Sequence, residues 1–154
     1  MKDHFLNLLE YDNWANTKIL NSIIAQNVDN ENIKRILSHI SLAQKIWYLR
    51  LTRQKKVIYD MWEVLKISEC SDIFAANYQG FKKFIMSQNE ENLSETITYK
   101  NSKGNEYSNT ISDMLIQVSL HSVYHRGQIA REMRLINKEP VLTDYIAFVR
   151  EKKQ

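Results

Sequence analysis

Three glycines and a single proline in 154 residues leave few places where a long helix can be interrupted. That scarcity favours an all-α chain before any periodicity is counted. The apolar residues keep the same step. From His4 to Ile24, the residues Phe5, Leu8, Leu9, Ala15, Ile19 and Ile23 recur at three- and four-residue intervals, which predicts a helix with one apolar side. Asp29 and Asn30 can cap a second helix reaching about Thr52, in which Ile33, Ile36, Leu37, Ile40, Ala43, Trp47 and Leu51 repeat the rhythm. Ser71 can cap a third, with Phe74, Tyr78, Phe81 and Ile85 as its stripe and an end near Asn89; Cys70 then sits just before the cap. Thr110-Ile-Ser-Asp113 resembles a capping box with Asp in place of Glu. It opens a fourth helix carrying Ile111, Met114, Leu115, Val118, His121, His125, Ile129 and Ile136 on one face.

Two stretches interrupt this pattern. Residues 53–70 read as a long connection: Arg53 to Lys56 is polar, Val57-Ile-Tyr59 can be extended, and Asp60-Met-Trp-Glu63 can turn. Between Glu95 and Asn109, alternating Ile97 and Tyr99 followed by Asn101-Ser-Lys-Gly-Asn105 predict a short hairpin, which must pack on the helices because an isolated one is unstable. After a break at Asn137 to Pro140, Thr143 can cap a short last helix containing Tyr145, Ile146 and Val149. The expected architecture is one domain over residues 1–154. It is an all-α four-helix bundle with a long connection, a small β-hairpin before the last long helix, and a short C-terminal helix.

Composition narrows the function classes. At 44% hydrophobic and 25% charged the chain falls in the ordinary globular range, and no apolar run approaches the roughly 18 residues of a membrane span. The N-terminal segment lacks the apolar core of a signal peptide, so a cytoplasmic protein is expected. The lone Cys70 fits a reducing compartment. A dispersed net charge of +3 argues against a nucleic-acid partner.

The chemistry-bearing feature is His121-Ser-Val-Tyr-His125. Histidines four residues apart project from one helical face and can share a cation, as in H-E-x-x-H zinc helices. Ser122 stands where such proteases carry their Glu base, which argues against peptide hydrolysis. A third ligand must come from elsewhere: His39, inside the second helix among Ile36, Ile40 and Ala43, is better placed than His4 at a fraying end. Three imidazoles leave one position open, the catalytic rather than the structural pattern. The plainer alternative is a set of buried neutral histidines satisfied by hydrogen bonds. Gln128, one turn from His125, can orient a ligand from behind or bond across the bundle. Gly127 costs about 1 kcal/mol relative to Ala in mid-helix and points to a close helix approach or, second to that, ligand room. Trp14, Trp47 and Trp62 read as core and pocket wall, and Cys70 as a bystander.

The run His121 to Ile129, with Arg126-Gly-Gln128 after the histidine pair, resembles the signature of the DinB/YfiT-like superfamily. Tyr11-Asp-Asn-Trp14, Leu37-Ser-His39 through Trp47, and the hairpin of Tyr99 to Ile111 resemble its other segments. The resemblance implies a four-helix bundle holding a divalent cation, most often zinc or nickel, on His39, His121 and His125. It also implies a homodimer and, in members with assigned activities, thiol-dependent S-transfer or isomerisation with a low-molecular-weight thiol. Gln44 replaces a frequent acidic residue and Leu120 a frequent Asn. The expected function is therefore metal-dependent chemistry on a small-molecule substrate, with an activated thiolate or water as nucleophile. Alternatives are a metal-dependent hydrolase and a non-catalytic metal-binding stress-response protein. Glu132, Tyr124 and Gln44 lie on or near the histidine-bearing segments as candidate bases, and Gln44 joins Gln128 as a candidate support for the ligands.

Overall fold

The computed structural model describes residues 1–54, 60–101 and 103–153. Among these, α1 (Lys2–Ala25), α2 (Glu31–Leu51) and α3 (Ile67–Ser87) precede a hairpin of β1 (Thr96–Lys100) and β2 (Glu106–Thr110). Then come α4 (Ile111–Leu135) and α5 (Tyr145–Lys152). α1 packs on α3, α3 on α2 and α2 on α4, with a looser α1 to α4 contact closing the four-helix bundle. No helix among the described residues is long and apolar enough to cross a membrane.

Two of the predicted caps form as expected. The Asn30 side chain accepts the Ile33 N–H at 3.0 Å. At α4, Thr110 Oγ1 accepts the Asp113 N–H at 3.1 Å while the Asp113 carboxylate accepts the Thr110 N–H at 3.4 Å. The other two start elsewhere. α3 begins one turn earlier than Ser71, at Ile67, where the Glu69 carboxylate accepts the Lys66 N–H at 2.8 Å; an acid at the third position does the work assigned to a serine cap. Cys70 consequently lies in the first turn, fully buried, rather than ahead of the helix. α5 takes Asp144, not Thr143, as its N-cap residue, and the Thr143 carbonyl accepts instead from the Tyr11 hydroxyl at 2.8 Å.

The connection before α3 ends at Lys66. Its turn at Asp60 to Glu63 is present, with Asp60 Oδ1 accepting the Trp62 N–H at 2.9 Å. The expected extended segment Val57 to Tyr59, with Lys55 and Lys56 before it, lies outside the described residues. In the hairpin, Ile97 pairs with Asn109 and Tyr99 with Tyr107. It is anchored to the bundle as its instability alone requires: Ile97 is buried, and the Tyr99 ring meets Trp47 edge-on at 5.4 Å.

The core is divided. Phe5, Leu9, Phe81, Ile85, Met114, Leu115 and Val118 fill the hairpin end, and Ile19, Ile23, Ile33, Leu37, Ile40, Phe74, Ile129 and Met133 the other. At the level between them each of α1 to α4 contributes buried polar residues: Asp12 and Asn16, Ser41 and Gln44, Asn77, and Ser119, Ser122 and Arg126.

Candidate metal centre

His39 and His125 are buried and His121 half-buried, and one ring nitrogen of each lies within 4.8 Å of the others. The α4 pair meets on one face because four residues make about one turn. The third ring arrives because α2 packs directly on α4. His121 Nε2 stands 3.2 Å from His39 Nε2 and 3.1 Å from His125 Nε2.

The far side of two rings fixes their protons. His39 Nδ1 faces the Met61 carbonyl at 2.9 Å, and His125 Nδ1 faces the Gln128 Oε1 at 2.8 Å. An oxygen acceptor requires an N–H there, which in a neutral ring leaves the lone pair on Nε2. Burial lowers the pKa of His39 below its ordinary value, against the raising effect of the Met61 carbonyl. Burial, then the neighbouring His125 and His39, depress that of His121 to about 4. Near neutral pH these two rings are therefore uncharged. The count of protons then matters: His121 can offer at most one Nε2–H to two Nε2 acceptors. One close nitrogen pair is left with no proton between, whereas a single shared cation meets all three lone pairs. Tetrahedral zinc, with bonds of about 2.0–2.1 Å, sets ligand nitrogens roughly 3.3 Å apart. The three residues fit a divalent cation on their separation and on the oxygen acceptors behind His39 and His125.

Gln128 is thus the hydrogen-bond partner behind His125. Met61 makes the same contact behind His39 through its main chain, which no side-chain pattern could announce. Gln128→Met should weaken metal affinity about 10- to 100-fold while leaving helicity unchanged, as loss of a ligand's outer hydrogen bond does. Competition against a chelator of known affinity checks this, and an unaltered affinity would strip Gln128 of the role.

Aromatic rings wall the centre. Trp62 stacks on His39 at 3.8 Å with the planes 7° apart, and Tyr124 stands edge-on to His125 at 5.0 Å. Trp62 and Tyr124 are 48% and 65% exposed, so they border the outside rather than the core. Two small, partly open recesses near the polar layer measure about 10 Å³ each, room for at most one water.

Other sequence candidates fall away from the cluster. His4 is exposed at the start of α1 and is not among the three clustered rings. Gln44 does not support a histidine: its amide donates to Asp12 and, at 3.0 Å, to Ser122 Oγ. Glu132 pairs with Arg131 at 2.8 Å. Among the described residues nothing packs closely on Gly127, for a Cβ there would meet none of their atoms within 4 Å. The cysteine is a bystander in the core, its thiol pKa raised by burial despite a contact with Ser38.

Behind the centre lies a buried polar layer that no sequence motif marks. Arg126, the residue after His125, donates from Nη1 to Asp12 and, at 2.9 Å, to Asn16, and its guanidinium carbon lies 5.2 Å from the Tyr11 ring centre. Ser122 Oγ donates to the Val118 carbonyl at 2.9 Å. α1, α2 and α4 are thereby tied together one residue away from each α4 histidine.

A family model described as "DinB family" matches residues 1–154. The chain is also similar to "Protein DinB" of Bacillus subtilis (strain 168), with 28% identity over 165 residues, covering 94% of this chain and 93% of that protein.

Proposed function

This chain belongs to the DinB family, and from that premise we propose that His39, His121 and His125 hold one divalent cation, zinc or nickel, at the heart of a metal-dependent enzyme acting on small molecules. The carrying observation is the convergence of three Nε2 atoms, two of them on rings whose Nδ1 atoms face oxygen acceptors. The cation would lower the pKa of a water or thiol bound to it, making a nucleophile available at neutral pH. Three protein ligands leave a position for that molecule. S-transfer from a low-molecular-weight thiol to an electrophile is the reaction we favour, as in the family members whose activities are assigned.

The protein's part is positional. Met61 and Gln128 hold the His39 and His125 rings so that their Nε2 lone pairs face inward. Trp62 offers an apolar wall to the incoming molecule, and the buried bonds of Gln44, Ser122 and Arg126 keep α1, α2 and α4 in register. The reading further takes residues 1–154 as one domain, working in the cytoplasm as a homodimer.

The test is a panel of low-molecular-weight thiols, each offered with an electrophilic acceptor, run on metal-loaded and chelator-stripped protein. Thioether formation that depends on the metal is the expected result. Equal rates with and without metal would defeat the enzyme reading, and metal-dependent loss of acceptor without thiol would redirect it to hydrolysis.

A further inference from the structure

Glycine in mid-helix ordinarily reports a close neighbour, yet Gly127 has none among the described residues. It lies on the outward side of α4 together with Ile116, Leu120, Val123 and Tyr124, which are 41%, 61%, 43% and 65% exposed. At 100° per residue these five positions fall within one arc of the helix, opposite Val118, Ser122, Ile129 and Met133, which face the core. Asp113 and Arg134 lie on the same arc, at its two ends, and both are exposed.

We propose that this outward face of α4 is a two-fold interface with a second copy of this chain. The inference rests on the reading that the protein is a homodimer, and it names the surface. The argument is self-complementarity. When two identical helices cross antiparallel about an axis between Val123 and Tyr124, residues whose numbers sum to one constant face each other. Leu120 then opposes Gly127, Val123 opposes Tyr124, Ile116 opposes the aliphatic stem of Arg131, and Asp113 opposes Arg134. The largest aliphatic knob meets the residue with no side chain, and the charges at the two ends are opposite in sign. No like charges are brought together along this register. A partner of different sequence would not need the acid at one end to match the base at the other, and an arrangement matched to itself favours a second copy. The apolar stripe supplies the centre of an interface that typically covers about 800 Å² per partner, with Asp113, Gln117, Arg131 and Arg134 as its polar rim.

Sedimentation equilibrium of the full chain tests this. The parent should have twice the 18.3 kDa mass of one chain. Leu120→Glu and Gly127→Glu should sediment as monomers with unchanged helical circular dichroism, since both positions are exposed and neither supports the monomer's core. Arg134→Glu should weaken self-association about tenfold, since it places a like charge opposite Asp113 of the second copy. A parent that is dimeric while both glutamate variants stay dimeric would overturn this interface and leave the dimer reading standing. A monomeric parent would overturn both.

Discussion

Asp12→Ala should destabilise the folded protein by about 3–5 kcal/mol, because it leaves a buried guanidinium without its counter-charge. The side chains of Arg126 and Asp12 are 2% and 4% exposed, so water cannot take over the solvation of either. Arg126 already carries two donors, Nε and Nη2, with no hydrogen-bond partner among the described residues. Removing Asp12 strips Nη1 of its charged acceptor and leaves only Asn16. The melting temperature should fall by roughly 10 °C at fixed protein concentration, followed by circular dichroism. Arg126→Met is expected to cost less. In that variant the Asp12 carboxylate still accepts from the amides of Asn16 and Gln44. The double variant Asp12→Ala with Arg126→Met should accordingly be more stable than Asp12→Ala alone, since no buried charge remains. An Asp12→Ala protein that melts with the parent would show that the pair contributes nothing to folding.

His39→Ala, His121→Ala and His125→Ala should each reduce bound metal from one ion per chain to less than about a tenth of that after dialysis, since two imidazoles hold a cation far less tightly than three. His121 should be the most sensitive, its Nε2 being the atom within 3.2 Å of both others. His4→Ala should retain the full complement. Elemental analysis of untagged protein reads all four. Undiminished metal in any one of the three variants would remove that residue from the site.

Much of this was legible along the chain, and the reasons are local. Helical periodicity places Ile33, Leu37 and Ile40, or Met114, Val118 and Ile129, on one face whatever they pack against, and Asn30 and Thr110 cap through atoms within three residues. His121 and His125 share a face for the same reason. The start of α3 was misplaced because Ser71 has the chemistry of a cap, while the group that in fact satisfies the end is Glu69, three residues into a helix that had no other signal. Gln44 was misread because a polar residue beside a proposed ligand has many possible partners, and only the packing of α1 on α2 and α4 supplied Asp12 and Ser122.

By itself, then, the sequence determined the helices, two of their caps, the hairpin and the histidine pair, all products of interactions spanning a few residues. Tertiary structure alone decided three further matters. It delivered His39 to the pair, since that meeting depends on how α2 lies against α4. It turned the Met61 carbonyl toward the ring, a group every residue possesses and no pattern marks. And it set Asp12, Gln44, Ser122 and Arg126 at one level of the bundle, converting four scattered polar residues into a buried network whose partners are 32 to 114 positions apart. Contacts of that separation depend on the register of whole helices, which side-chain periodicity within any one of them does not encode.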